Sequence, residues 1–384
     1  MKNYIGVDIG GTKCAVLRAD ENGKIVQKIK FQTTDYKSTL ARILDGVNEL
    51  LDRDYVRVGI SCGGPLDSAR GVILSPPNLP GWDEVHITDI IKEKTGLDAA
   101  LCNDANACAL AEWKFGAGQG TKNMVFLTFG TGMGAGLILD GRLYSGTCDL
   151  AGEIGHIRLA PRGPVGFGKA GSFEGFCSGG GIARMARAEA EKMISREKYP
   201  LFCKSEAELD LISAKSVAEA AERGDAAAIK IYKKSGEMLG RALAVIVDVL
   251  NPEMIVIGSV FSRSEALLRG GMEKTLRREA IHRSLDVCRV VPAMLGDEIG
   301  DIAAVTVAMN EYKRMTLSAI LYFGDVGKLY VDDFFERFRG YLDLIPYFPG
   351  AEHYLFVKLG ALINDGGELL FHPYRRASAV NVAR

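Results

Sequence analysis

Two glycine-rich turns, each joining a pair of apolar segments, constrain this chain more than any other feature. Asp8-Ile9-Gly10-Gly11-Thr12-Lys13 lies between the apolar segments 4–8 and 14–18. Thr128-Phe129-Gly130-Thr131-Gly132-Met133-Gly134 lies between 124–129 and 136–139. Short apolar runs bounded by glycine read as buried strands. Each second strand ends in an Asp-containing turn, Asp20-Glu21-Asn22-Gly23 in one case and Asp140-Gly141 in the other. One such hairpin could be an ordinary tight turn that needs positive φ. Two in the same relation to their strands predict a duplicated unit, with related domains facing each other across a cleft.

The segments between the hairpins place them in a fold class. Residues 38–51 carry apolar side chains at helical spacing, and 56–61 is again a short apolar run ending in glycine. Strands alternating with helices predict an α/β fold. The second unit opens near Gly116. It continues through a loop-like stretch at 161–171, a mostly helical stretch at 182–250, and a buried strand at 254–258 after Asn251-Pro252. The expected division is an N-terminal α/β domain at 1–115, completed by 300–314, and a larger α/β domain at 116–299. Residues 315–384 hold 13 of the chain's 31 aromatic side chains and are expected to form a separate C-terminal extension. Phe334, Phe335, Phe338 and Tyr341 recur there at helical spacing, which predicts a helix packed against the rest of the chain, against a second subunit or within a small appended domain.

Composition removes several classes. Lys and Arg number 47 against 48 Asp and Glu, so no electrostatic footprint for nucleic acid or an anionic membrane exists. No apolar run approaches the roughly 20 residues that span a bilayer, and Asp8 interrupts the place a secretory signal would need. The eight cysteines include no Cys-x-x-Cys pair and lie scattered through apolar segments. Unpaired thiols and a cytoplasmic location are expected. The 45 glycines, about 12% of the chain against a usual share of about 7%, imply many tight turns or close backbone approach to ligands.

Four groups of residues could do chemistry. Gly10, Gly11, Thr12 and Lys13 have the ingredients of a phosphate cradle: free backbone N–H groups, a hydroxyl and a cation. The Walker spacing is absent. With Gly130, Thr131, Gly132 and Gly134 opposite, the pair suits a nucleoside triphosphate held between domains. Asp8 breaks an apolar strand just before the first turn, where a carboxylate is costly unless a counter-ion compensates it. Magnesium on a polyphosphate would do so; the alternative is an Asp that caps the turn. Asn103-Asp104-Ala105-Asn106 joins a strand to a helix, so Asp104 could accept a proton from a substrate hydroxyl or merely cap the helix. Gly152-Glu153-Ile154-Gly155-His156 and Phe173-Glu174-Gly175 add two carboxylates and an imidazole suited to sugar hydroxyls, although spacing alone does not bring them together.

In this order, the motifs resemble the repressor–open reading frame–kinase (ROK) family of sugar kinases over residues 4–313. The matching stretches are Ile5-Gly6-Val7-Asp8-Ile9-Gly10-Gly11-Thr12-Lys13, Pro77-Asn78-Leu79-Pro80-Gly81-Trp82, Asn103-Asp104-Ala105-Asn106, Gly130-Thr131-Gly132-Met133-Gly134 and Gly152-Glu153-Ile154-Gly155-His156. The resemblance implies a two-domain actin-like ATPase (ribonuclease H-like) fold with an interdomain cleft closing over ATP and a hexose. It also implies a homodimer. By the same resemblance Asp104 is the general base, and Asn103, Glu153, His156 and Glu174 bind the sugar, with Gly64 approaching it. Gly258 and Ser259 fall in the adenosine region. The expected reaction is ATP-dependent phosphorylation of a glucose-like hexose, at O6, with magnesium carried by ATP.

Two departures from the family pattern bear on function. The family's zinc loop, Cys-x-Cys-Gly-x-x-Gly-Cys-x-Glu, has its cysteine positions filled here by Val165, Phe167 and Ser172, while Gly168, Gly171 and Glu174 persist. Zinc needs four ligands of sulfur or imidazole type, so no structural zinc is expected. Packing of Val165 and Phe167 is expected to hold the loop instead. The family's usual glycine run reads Gly258-Ser259-Val260, whose side chains would narrow the adenosine pocket. Two other readings stand beside the kinase. One is a sugar-binding regulatory protein without turnover. The other is a transcriptional repressor, disfavoured because the first strand starts near Tyr4 and leaves no room for a helix-turn-helix.

Overall fold

The computed structural model describes residues 3–51 and 55–310, and the expected aromatic extension at 315–384 lies outside the described residues. The chain opens with a three-stranded meander, β1 (Asn3–Ile9), β2 (Lys13–Asp20) and β3 (Ile25–Gln32). Helix α1 (Tyr36–Leu50) follows, started by the Asp35 carboxylate accepting from Ser38 N–H at 3.0 Å. Its buried positions Thr39, Ile43, Val47 and Leu50 fall on one face, as the 3.6-residue period requires. Next come β4 (Tyr55–Cys62), the short pair β5 (Leu66–Asp67) and β6 (Val72–Ile73), α2 (Ile87–Thr95), β7 (Ala99–Asn103) and α3 (Asp104–Phe115).

The second half repeats the opening. A meander of β8 (Met124–Phe129), β9 (Met133–Leu139) and β10 (Arg142–Tyr144) leads through the short pair β11 (Val165–Gly166) and β12 (Lys169–Ala170). Four helices follow: α4 (Phe173–Cys177), α5 (Gly179–Ile194), α6 (Ala214–Glu222) and α7 (Ala226–Leu250). Then come β13 (Met254–Ile257), α8 (Val260–Glu279) with a kink at Ser264, α9 (His282–Leu285), β14 (Arg289–Pro292) and α10 (Ile299–Met309).

The duplication read from the two hairpins is present in the sheet topology. One sheet runs β3-β2-β1-β4-β7 and the other β10-β9-β8-β13-β14. In both, the meander strands pair antiparallel and the last two strands join in parallel. Along β8, Met124 and Phe126 pack into one cluster while Val125, Leu127 and Phe129 pack into another. Both faces of that strand are buried, so its sequence is continuously apolar rather than alternating.

Helices α1 and α2 cover the outer face of the first sheet, and α5 to α8 cover the outer face of the second. Helices α3 and α10 lie between the sheets, with Leu110, Ala303 and Val307 packed against Phe126 and Val256. Glycines permit the close approach: a Cβ on Gly59 would stand 2.2 Å from Ala308 N, and one on Gly136 2.4 Å from Ala109 Cβ. The last described helix therefore returns to the first sheet. Buried Glu112 ties both crossings between the halves, accepting from Ala117 N–H and Leu295 N–H at 2.8 Å each. All eight cysteines are unpaired. Among the described residues no helix is long and apolar enough to cross a membrane.

Candidate active site

The first hairpin is braced from two sides. Gly10 N–H donates to Lys13 O at 3.2 Å, and Thr33, just past β3, donates its hydroxyl to Gly10 O at 2.6 Å. A Cβ on Gly11 would stand 2.6 Å from Asn78 Cβ, so only glycine lets the Pro77-Asn78 loop pack beneath the turn. Gly11, Thr12 and Lys13 are exposed at its tip.

The Asp8 carboxylate makes no hydrogen bond among the described residues, so it is not the cap of its turn. Burial, reinforced by the charges of Asp301 and Asp104, raises its pKa from 3.8 to about 7, against the pull of Lys28 and Lys13. Asp301, in the first turn of α10, forms an ion pair with Lys28 on β3. Neither residue stands out in the sequence, because Asp301 reaches the hairpin only through the fold. Two carboxylates and two lysines therefore act on Asp8, the carboxylates more strongly.

Asn103 and Asp104 sit where β7 becomes α3. Both candidate roles of this junction coexist in Asn103. Its Oδ1 caps the helix, accepting from Ala105 N–H at 3.0 Å, while its Nδ2 faces Gly64, 3.4 Å from where a Cβ there would lie. The Asp104 Oδ1 also accepts from Ala105 N–H, at 2.8 Å, leaving Oδ2 turned toward Gly63. The carboxylate reaches solvent on one side, but protein crowds it on the others. That desolvation raises its pKa, with the Ala105 hydrogen bond opposing.

The loop bearing Glu153 and His156 lies flat on β9. Ala135 N–H donates to Gly152 O at 2.9 Å, and a Cβ on Gly155 would stand 2.1 Å from Met133 O. The two side chains flank that contact and are exposed. Glu153 has a raised pKa, from burial first and then the charges of Asp104 and Glu174, opposed by His156. Asp104, His156 and Glu174 thus all act on Glu153, which spacing alone did not establish. Glu174, in α4, accepts through Oε2 from Met133 N–H at 3.2 Å and so touches the second hairpin.

The loop from Val165 to Ser172 is not held as expected. Val165 and Phe167 are 47% and 78% exposed, so their burial does not secure it. Backbone and capping do: β11 pairs with β12, and fully buried Ser172 caps α4 by accepting from Gly175 N–H at 3.1 Å. Lys169 Nζ donates to His156 O at 2.7 Å, and the Phe167 ring stands edge-on to His156 at 5.7 Å. These two contacts position His156. Among the described residues no group of three or more His, Cys, Asp or Glu side chains is placed to hold a metal.

At the second hairpin, Gly134 N–H donates to Thr128 Oγ1 at 3.0 Å, and a Cβ on Gly134 would lie 3.6 Å from Ala105 Cβ. Gly132 faces Glu174, and Gly130 O accepts from Gly179 N–H at 2.7 Å. Thr131 O accepts from Gly180 N–H at 3.3 Å. The run Gly179-Gly180-Gly181 opening α5 escaped the sequence reading, although glycines at a helix start are a recognisable anion-site signal. Gly258 and Ser259 join the same group through Val260, whose Cγ2 is 3.5 Å from where a Gly179 Cβ would be. Ser259 has φ 54° and ψ −111°, a conformation that side chains other than glycine rarely adopt.

Asp104 thus acts electrostatically on both Asp8 and Glu153, and the next residue, Ala105, approaches Gly134 of the second hairpin. Known proteins resemble this chain in sequence and fold. The sequence profile of the ROK family matches residues 4–311. A glucokinase from Thermotoga maritima is 33% identical over 308 residues, 79% of this chain and 96% of that protein. The crystal structure of a ROK family glucokinase from Streptomyces griseus, in complex with glucose and AMPPNP, is 32% identical with a TM-score of 0.66, covering 80% of this chain and 99% of that one. A ROK family transcriptional regulator, a homologue of the E. coli MLC protein, superposes with a TM-score of 0.70 at 25% identity, covering 80% and 77%. On the duplicated sheets, the converging motifs and these matches, the chain belongs to the ROK family.

Proposed function

We propose that the chain transfers the γ-phosphoryl group of ATP to O6 of a glucose-like hexose, with Asp104 as general base. That it is an ATP-dependent sugar kinase follows from the glucokinases it matches over nearly their full length. The observation that supports the finer reading is that Asp104, with its Oδ2 turned toward Gly63, lies within electrostatic reach of both Asp8 and Glu153.

In this reading, Asn103 Nδ2, Glu153, His156 and Glu174 hold the sugar hydroxyls, with the Gly64 backbone closing one side. The hairpins at Gly10–Lys13 and at Gly130, Thr131, Gly132 and Gly134 hold the phosphates through the backbone N–H groups other than those of Gly10 and Gly134, which are bonded within the turns. Gly258 and Ser259 border the adenosine. The free Oδ2 of Asp104 takes the proton of the primary hydroxyl as it attacks phosphorus, and its raised pKa makes it a better acceptor than an ordinary carboxylate. The crowded Asp8 carboxylate, which has no hydrogen-bond partner, fits magnesium carried on the nucleotide and is the side chain that would meet it. Bound there, the ion would neutralise charge developing on the phosphates. The enzyme works as a cytoplasmic homodimer with no nucleic-acid partner.

A second reading, sugar binding without turnover, is favoured by one observation: the strained Ser259 beside the nucleotide region. ADP release measured over a panel of hexoses and N-acetylhexosamines separates the two. Turnover with a glucose-like sugar supports the kinase, and sugar binding with no ADP release on any of them contradicts it.

A further inference from the structure

We propose that the groove between α7 and α8 is a second anion site, taking a small, multiply charged phosphate compound and weakening sugar binding when filled. The two helices cross in near-contact. A Cβ on Gly236 would stand 2.4 Å from Leu268 O, one on Gly240 2.3 Å from Met272 O, and one on Gly271 3.0 Å from Lys233 O. Beside this crossing lies a cavity of about 420 Å³. Its glycine floor is open at Gly270, where an added Cβ would meet nothing within 4 Å.

Five cations line that cavity, Lys233, Lys234 and Arg241 from α7 and Lys274 and Arg278 from α8, against one carboxylate, Glu237. Among the described residues only Arg278 of the five forms an ion pair, with Glu279 at 2.7 Å. The rest of α8 behaves differently: Arg269 is paired with both Glu265 and Glu273. Like charges gathered around a hollow repel one another unless an anion fills it. A single carboxylate would leave most of that charge unmatched. A compound with two phosphates, or one phosphate and a carboxylate, matches it and engages arginine and lysine by charge-assisted hydrogen bonds. The volume fits a small metabolite.

Two of the five cations connect the groove to the sugar side. Arg241 donates to Leu159 O at 3.2 Å, in the strand of chain that leaves His156. Lys234 Nζ stands 5.9 Å over the Phe176 ring, in the same short helix as Glu174. An anion that draws both cations into the groove removes these supports, so the His156 and Glu174 segments relax and sugar affinity falls. By linkage the sugar then weakens the anion equally. This coupling rests on the sugar-site reading above; anion binding in the groove does not.

The test is a calorimetric titration of the full chain with pyrophosphate at constant ionic strength. Wild-type protein is expected to bind at two sites, the hairpins and the groove. Lys233→Gln/Lys274→Gln should lose one site or bind there roughly tenfold more weakly per cation removed, while Lys13→Gln retains it. Sugar binding, followed by tryptophan fluorescence, should weaken about fivefold with pyrophosphate in wild type and not in the double variant. A double variant that titrates like wild type overturns the site. Loss of a dimer in that variant with anion binding intact overturns it in favour of a subunit contact. Two-site binding without any change in sugar affinity overturns the coupling.

Discussion

Ser68, in the turn between β5 and β6, donates both its backbone N–H and its hydroxyl to the Asp149 carboxylate, at 2.7 and 2.8 Å. The two residues belong to different halves of the duplicated fold. Asp149 holds φ 58°, and it leads directly into the loop that carries Glu153 and His156. The clasp therefore fixes where the sugar loop stands relative to the segment that follows Gly64. Asp149→Ala is expected to raise the sugar KM about five- to tenfold, the equivalent of one charge-assisted hydrogen bond at a partly solvated position, with kcat much less affected. Steady-state kinetics on the purified variant check this. An unchanged KM would show that the clasp does not position the loop.

Asp8 supplies a pH-dependent signature. Its folded pKa, about 7, lies above the unfolded value of 3.8, so ionising it in the folded chain is unfavourable. The native state consequently loses stability as pH rises from about 4 through about 7, and Asp8→Asn should lessen that loss. Magnesium-bound nucleotide should favour the ionised form and release close to one proton from this group at about pH 6, vanishing above about pH 8. Calorimetry in buffers of different ionisation enthalpy measures the release. Equal release by wild type and Asp8→Asn would place the proton elsewhere.

The contrast between Asp8 and Asp301 shows what the sequence could carry. Asp8 is legible because a carboxylate within an apolar strand is costly and needs a reason. Asp301 sits in an ordinary helix start, and only the return of α10 onto β1 brings its charge to bear on Asp8. The duplicated fold was legible for a related reason: strand periodicity and glycine turns are local, and they recur at both hairpins. The Ser68–Asp149 clasp and the convergence of Glu153, His156 and Glu174 depend on tertiary placement and carry no local pattern. Val165 and Phe167 misled because apolar residues in a loop suggest burial, whereas hydrogen bonds around Ser172 hold that loop.

That loop yields a stability prediction. Ser172→Ala removes the acceptor for Gly175 N–H in a fully buried setting and should cost about 1–2 kcal/mol. Chelators should leave the melting temperature of the wild type unchanged, and elemental analysis should find no stoichiometric zinc. About one zinc per chain would mean that ligands outside the Val165, Phe167 and Ser172 positions hold the metal.

Ser259 stores strain in a backbone conformation that favours glycine. Relief of an unfavourable φ/ψ is worth about 1–3 kcal/mol, and the extra unfolded-state entropy of glycine offsets about 0.5–1 kcal/mol. Ser259→Gly should therefore gain about 1 kcal/mol, seen as a melting temperature higher by roughly 2 °C. A variant that melts lower would mean that the Ser259 side chain contributes more than its backbone costs.

The assignment of Asp104 as general base is tested most directly by turnover of Asp104→Asn beside its sugar affinity. Asparagine keeps the shape and can still accept from Ala105 N–H, so the fold should persist and the sugar dissociation constant should change by no more than about threefold. Loss of the proton acceptor should lower kcat about 10²–10⁴-fold. A folded variant with near-normal kcat would contradict the role of Asp104 and with it the proposed mechanism.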